Sequence, residues 1–231
     1  GVDLRALEAA LQQHADSDLK IGSFSAASNV TGILTDPDPV SRLLHDHGAL
    51  AIWDYAGGGP YLPIDMGANG AARKDAVVVS PHKFPGGPGA SGVLLVNSAA
   101  VRRRCPSWPG GGTVSFVSPW LHVYSRDLAA RAEAGTPNVI GDIRAALAFL
   151  VKEAVGQSQI EAREAHLAQM AWQGWADNPQ LTLLGHRDAH RLPIFSFLVR
   201  DADGNPVHQQ LFTRMLRDVY GIQARGGCAR A

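Results

Sequence analysis

The sequence predicts an α/β protein: a mainly parallel sheet with helices, followed by a small C-terminal α/β domain. Two observations carry this. Through residues 1–100, short β-branched runs bounded by Gly and Pro alternate with segments of helical periodicity. That alternation fits strands laid parallel by crossover helices. From residue 157 onward the pattern becomes helix, two short strands, helix.

The elements follow in order. Residues 2–14 read as an amphipathic helix, with Leu4, Leu7, Ala10 and Leu11 at helical spacing. Residues 21–27 read as a strand ending in Ser28-Asn29-Val30-Thr31-Gly32. Residues 39–47 read as a helix whose stripe is Val40, Leu43 and Leu44, with Asp36 or Asp38 as its cap. Strands are expected at 49–53, 76–79 and 92–96. Residues 97–121 are rich in Pro, Gly and Ser and read as a helix fragment and a long loop, a kind of segment that is usually functional. Residues 138–155 read as a long helix with Ile140, Ile143, Leu147, Leu150 and Val151 on one face, a hinge between domains. The tail places a helix at 157–176, strands at 181–184 and 194–199, and a helix at 207–220. The expected division is a large domain over 1–137, a connecting helix over 138–156 and a small domain over 157–231.

Composition narrows the function classes. Of 231 residues, 45% are hydrophobic and 18% charged, which suits a packed core. Net charge is zero, which gives no support for nucleic-acid or membrane-surface binding. No apolar run approaches the roughly 20 residues of a bilayer span. The two cysteines, Cys105 and Cys228, make no disulfide framework, so a reducing, cytoplasmic setting is expected. His45 and His47 lie on a polar helix and read as surface residues rather than metal ligands.

The chemistry gathers at strand ends. Ser80-Pro81-His82-Lys83-Phe84-Pro85-Gly86-Gly87 follows the run Ala76-Val77-Val78-Val79. Apolar and glycine neighbours predict a desolvated Lys83 amine, which favours its neutral, nucleophilic form, as a Schiff base with a carbonyl cofactor requires. Asn29, Asp54 and Lys83 each follow one of three successive strands, and ligands of open α/β sheets bind outside the carboxyl ends of strands. A bland alternative stands beside each: a solvated lysine, Asp54 bonding its own loop backbone, an Asx turn at Asn29, and His82 packed beside the strand.

These residues resemble the class V aminotransferases of pyridoxal-phosphate fold type I, which include the cysteine desulfurases. The resemblance rests on Ser28-Asn29-Val30-Thr31-Gly32, Asp54 with Ile64-Asp65, Ser80-Pro81-His82-Lys83, Gly110-Gly111-Gly112-Thr113-Val114 and Glu133-Ala134-Gly135-Thr136-Pro137-Asn138, in order and at matching spacing. It implies pyridoxal 5'-phosphate on Lys83, with Lys83 as catalytic acid and base. Asn29, Asp54, Ser80 and His82 would contact the cofactor. Thr113 would reach the phosphate of a neighbouring subunit, making a homodimer, and Arg225 would meet the carboxylate of an amino-acid substrate. The family has well over a hundred residues before this point, with the ring that stacks on the cofactor, so a chain lacking its N-terminal part is expected.

Departures matter. Gly57 and Tyr61 stand where the desulfurases usually carry Gln and His, which disfavours that branch. The reactive desulfurase Cys would fall at Arg230, so Cys228 reads as a small residue near the chain end. Transamination and C–S or related lyase chemistry both remain open. The rival reading is a catalytically incompetent fragment or pseudoenzyme that keeps the fold.

Overall fold

The computed structural model describes residues 1–67 and 70–227. The first helix, α1 (Leu4–Gln13), starts where the Asp3 carboxylate accepts the Arg5 and Ala6 amides, satisfying donors that a helix start leaves open. Strand β1 (Ile21–Ser25) leads to α2 (Pro37–Asp46). Of the two expected caps, Asp36 serves, and Pro37 fills the first turn, so the helix starts two residues early. Then come β2 (Leu50–Asp54), β3 (Ala76–Val79), a 3-10 turn at Pro81–Lys83 and β4 (Val93–Val96).

These strands form one sheet in the order β1-β2-β3-β4. The first three run parallel, with Phe24 opposite Trp53 and Trp53 opposite Val77. The fourth returns antiparallel to β3, because only residues 80–92 separate them and no crossover helix fits. Trp53, Val77, Ala51 and Leu44 are fully buried at the centre of the core. Gly22 lets α2 approach β1: a Cβ there would stand 2.5 Å from the Leu44 methyls. The Trp53 indole donates to Ser41 Oγ of α2 at 3.0 Å, so the buried ring keeps its polar edge paired.

The segment 97–121, expected as a helix fragment and a long loop, contains β5 (Val114–Val117), which forms a hairpin with β6 (His122–Tyr124) just beyond it. Ser118 closes its turn by accepting the Trp120 and Leu121 amides on Oγ. A short α3 (Leu128–Ala132) follows, then α4 (Val139–Val155), capped by Asn138, and α5 (Gln157–Trp175). The last part is the hairpin β7 (Leu181–Leu183) and β8 (Phe197–Val199), then α6 (Gln209–Tyr220). Trp175 meets Phe195 and Phe197 there, and Phe197 meets Phe212 edge-on, so the tail has its own aromatic cluster. It leans on the first half through Leu192 N to Gly32 O and Ser196 Oγ to Val30 O.

The apolar stripe of α4 faces outward. Ile140, Ile143, Leu147, Leu150 and Val151 are exposed, whereas Gly141, Ala145 and Ala148 are buried. Small residues on that inner side let α4 lie close to the 3-10 turn and the loop after it, with Ser91 N bonding Gly141 O at 3.0 Å.

Candidate functional site

Three parallel strands end side by side. Ser25 of β1 is paired with Asp54 of β2, and Asp54 with Val78 of β3. The backbone continues this beyond the strands: Ala26 N bonds Asp54 O at 2.9 Å and Tyr55 N bonds Val78 O at 2.8 Å. Asn29, Asp54, Ser80, His82 and Lys83 therefore leave the sheet at one edge, as the strand ends predict.

Each side chain has a distinct setting. After β1 it is Ser28, not Asn29, that makes the local turn, its Oγ accepting the Val30 and Thr31 amides at 3.2 and 3.1 Å. The Asx turn anticipated at Asn29 is not formed, and Asn29 is exposed. Asp54 does bond its own loop, Oδ1 accepting Ala56 N at 2.6 Å. After β3, Pro81 and Phe84 turn into the core while His82 and Lys83 face solvent, so His82 does not pack beside the strand. The desolvated Lys83 anticipated from its apolar and glycine neighbours is not found. One 3-10 turn separates the buried pair from the outward pair: Pro81, Phe84 and Gly87 are buried, whereas Lys83 is exposed together with Pro85 and Gly86.

Among the described residues, the side chains of Asn29, Ser80, His82 and Lys83 make no hydrogen bond or ion pair. An amide, a hydroxyl, an imidazole and an ammonium are thus available at one sheet edge beside a carboxylate. Donors of those types suit a phosphate, and the amine suits an aldehyde, so this set fits pyridoxal phosphate. The turn is tightly built: a Cβ on Gly87 would overlap the Pro81 carbonyl oxygen.

Two expected residues stand apart. Thr113 is buried at the start of the β5–β6 hairpin, and its Oγ1 donates to Gly110 O at 2.6 Å and accepts Gly110 N at 3.1 Å. That hydroxyl is engaged within its own turn. Arg225 lies beyond α6 and is exposed. Cys228 and Arg230 lie outside the described residues, and Cys105 is free and exposed.

Sequence reasoning missed two buried polar clusters. His45, expected at the surface, is nearly covered and sits 2.8 Å from the Asp75 carboxylate, with its other ring nitrogen 3.0 Å from Ala71 O. Lys152 of α4 donates to the carbonyls of Gly59 and Leu62 and lies over the Phe84 ring, and burial lowers its pKa. The one signal for Lys152 is a lone cation after the apolar run Phe149-Leu150-Val151. Burial pushes the Tyr55 phenol up to about 12, with Asp38, Asp65 and Asp36 adding to the effect. Tyr61 is raised by burial and then by Glu164, which burial itself raises.

Comparison with known proteins gives one consistent pattern. A model of the family described as aminotransferase class-V matches residues 3–231. A probable cysteine desulfurase from Vibrio cholerae is 31% identical over 221 residues, covering 95% of this chain and 51% of its own. An Escherichia coli cysteine desulfurase structure aligns at 27% identity with a TM-score of 0.75, over 89% of this chain and 48% of that one. The fold also matches a cysteine desulfurase from Thermococcus onnurineus, with a TM-score of 0.81 at 24% identity, over 97% of this chain and 52% of that one. The chain spans about half the length of the curated relatives it matches. The architecture is the α/β arrangement of fold type I, seen over about half of such structures.

Proposed function

The chain belongs to the class V aminotransferase family, and from that membership we propose that it carries pyridoxal 5'-phosphate on Lys83 and acts on an amino acid. What supports this is the placement of Asn29, Asp54, Ser80, His82 and Lys83 at the carboxyl edge of three parallel strands, where, among the described residues, the side chains of Asn29, Ser80, His82 and Lys83 make no hydrogen bond or ion pair. When bound, the cofactor supplies an electron sink for negative charge developing at the substrate α-carbon.

The residues then divide the work. The Asp54 carboxylate would keep a proton on the pyridine nitrogen. Ser80 Oγ and the His82 ring would donate to the phosphate, and Asn29 would contact the ring region. Lys83 Nζ would take and return the proton at the α-carbon. The Arg225 guanidinium receives the substrate carboxylate, for which its fork is suited. A homodimer in which Thr113 serves the neighbouring site requires its bond to Gly110 to open. A cytoplasmic setting accords with this chemistry.

Cleavage of a C–S bond is the first reading of the reaction, because the similar proteins named above are cysteine desulfurases. Transamination is the second. It is favoured by Gly57 and Tyr61, which depart from the desulfurase pattern.

The test is reaction of the full chain with pyridoxal phosphate, borohydride reduction and peptide mapping. The label is expected on Lys83 and is lost in Lys83→Ala, while Lys20 and Lys74 stay unlabelled. Label spread evenly over the lysines would refute the cofactor site and leave the incompetent alternative. With a loaded protein, sulfide release from cysteine against keto-acid formation separates the two reactions.

A further inference from the structure

Among the described residues, the loop that begins at Asp54 and the turn that carries Lys83 are joined by no backbone hydrogen bond beyond the strand ends. The Lys152 side chain of α4 touches both. Lys152 Nζ donates to Gly59 O at 2.8 Å and to Leu62 O at 2.5 Å, in the loop after Asp54. The same ammonium stands 5.7 Å from the centroid of Phe84, the residue after Lys83. Phe84 is buried and meets Phe149, also of α4, edge-on at 5.2 Å. Loop and ring are close-packed too, since a Cβ on Gly59 would lie 3.2 Å from the Phe84 ring.

Lys152 is not a snorkelling surface lysine. Its other neighbours, Ile64, Val79, Val93, Leu95 and Phe149, line an apolar cavity with it. No carboxylate pairs with it among the described residues. Its ammonium is held by two loop carbonyls and a ring face. In such a setting hydrogen bonds are stronger than in water and an unpaired charge is costly, so the contacts fix geometry.

We propose that Lys152 is a positioning residue that holds the Asp54 loop and the Lys83 turn in one fixed relation. The proposal rests on the reading of Asp54 and Lys83 as cofactor residues. Its structural part is measurable without the cofactor.

The test compares the full chain with Lys152→Met, which keeps the apolar stem, and Lys152→Arg, which restores a cation with several donors. Hydrogen exchange is followed at the amides of Gly59, Lys83 and Phe84, with Trp53 of β2 as reference. In Lys152→Met the first three are expected to exchange at least about tenfold faster, since they lose a tie through hydrogen bonds to a charged group. Trp53 is expected to stay unchanged. With pyridoxal phosphate added, selective labelling of Lys83 and the induced circular dichroism of the bound cofactor are expected to fall at least about tenfold in the same variant and to return in Lys152→Arg. Unchanged exchange overturns the proposal, as does acceleration shared equally by Trp53. Fast exchange with undiminished labelling of Lys83 also overturns it, because the pinning would then not serve the site. If the unmutated chain is never labelled at Lys83, the cofactor reading fails, and the exchange measurement alone decides whether Lys152 fixes the two loops.

Discussion

Asp75→Ala should remove about 3–5 kcal/mol of stability, because it takes a buried carboxylate away from the groups that bond to it. Asp75 is 3% exposed and stands just before β3. Its Oδ2 accepts the Ala51 amide at 2.8 Å and faces His45 Nε2 at 2.8 Å, while Oδ1 lies 3.5 Å from Arg73 Nε. Its backbone bonds Ala51 O and accepts Asn97 N, and both survive the substitution. What is lost is the tie between α2, β2 and β3. The Ala51 N–H, in a fully buried residue, is left without an acceptor, at about 1–3 kcal/mol. The hydrogen bond to His45 adds about 1.5–3 kcal/mol, and the two overlap rather than sum. Asp75→Asn, which keeps an acceptor for Ala51, should cost less, about 1–3 kcal/mol. Urea unfolding followed by tryptophan fluorescence is the assay. With a slope of about 2 kcal/mol/M, Asp75→Ala lowers the midpoint by about 1.5–2.5 M at unchanged slope. A loss below about 1 kcal/mol, or equal losses for Ala and Asn, would show that Ala51 and His45 find other partners and that the cluster does not tie the sheet to α2.

Three further outcomes concern the lysine turn, Tyr55 and Lys152. In Gly87→Ala the new methyl meets the backbone of the lysine turn, overlapping Pro81 O and lying 3.0 Å from Phe84 O. Overpacking of this kind costs about 1–3 kcal/mol, or a fall in melting temperature of about 2–12 °C, with loss of selective Lys83 labelling. Gly111→Ala, which meets no atom within 4 Å, is the control and should melt as the parent does. Phenolate absorbance should show Tyr55 titrating near pH 12. Its folded pKa lies above the ordinary 10, so its stabilisation is whole below pH 10 and drains away between pH 10 and 12, by up to about 2.7 kcal/mol. Tyr55→Phe should abolish that loss. Lys152 acts with the opposite sign: burial lowers its pKa, so stability rises as pH climbs through its folded value toward the unfolded one. A Tyr55→Phe protein that weakens between pH 10 and 12 as steeply as the parent would contradict the assignment.

The sequence by itself determined most of the elements and the edge at which Asn29, Asp54 and Lys83 leave the sheet. Runs such as Ala76–Val79 and Leu50–Asp54 are bounded by turn-forming residues and alternate with helices, and parallel strands must bring their carboxyl ends together. Asn29, Asp54 and Lys83 were legible for that reason, before any contact was known. The hairpin of β5 and β6 was not, because its strands are short and the turn chemistry of Ser118 lies among Pro, Gly and Ser. Only the tertiary structure decided which face of each element is used. Periodicity put Ile140, Ile143 and Leu147 on one stripe of α4 but could not say that Gly141, Ala145 and Ala148 would face the lysine turn. It placed Lys83 after a strand but not on the outward side of a 3-10 turn. The pairs His45 with Asp75 and Lys152 with Gly59 join residues far apart in sequence. Local propensity acts through neighbours along the chain, whereas these contacts exist only once the sheet has brought distant backbone within hydrogen-bonding reach.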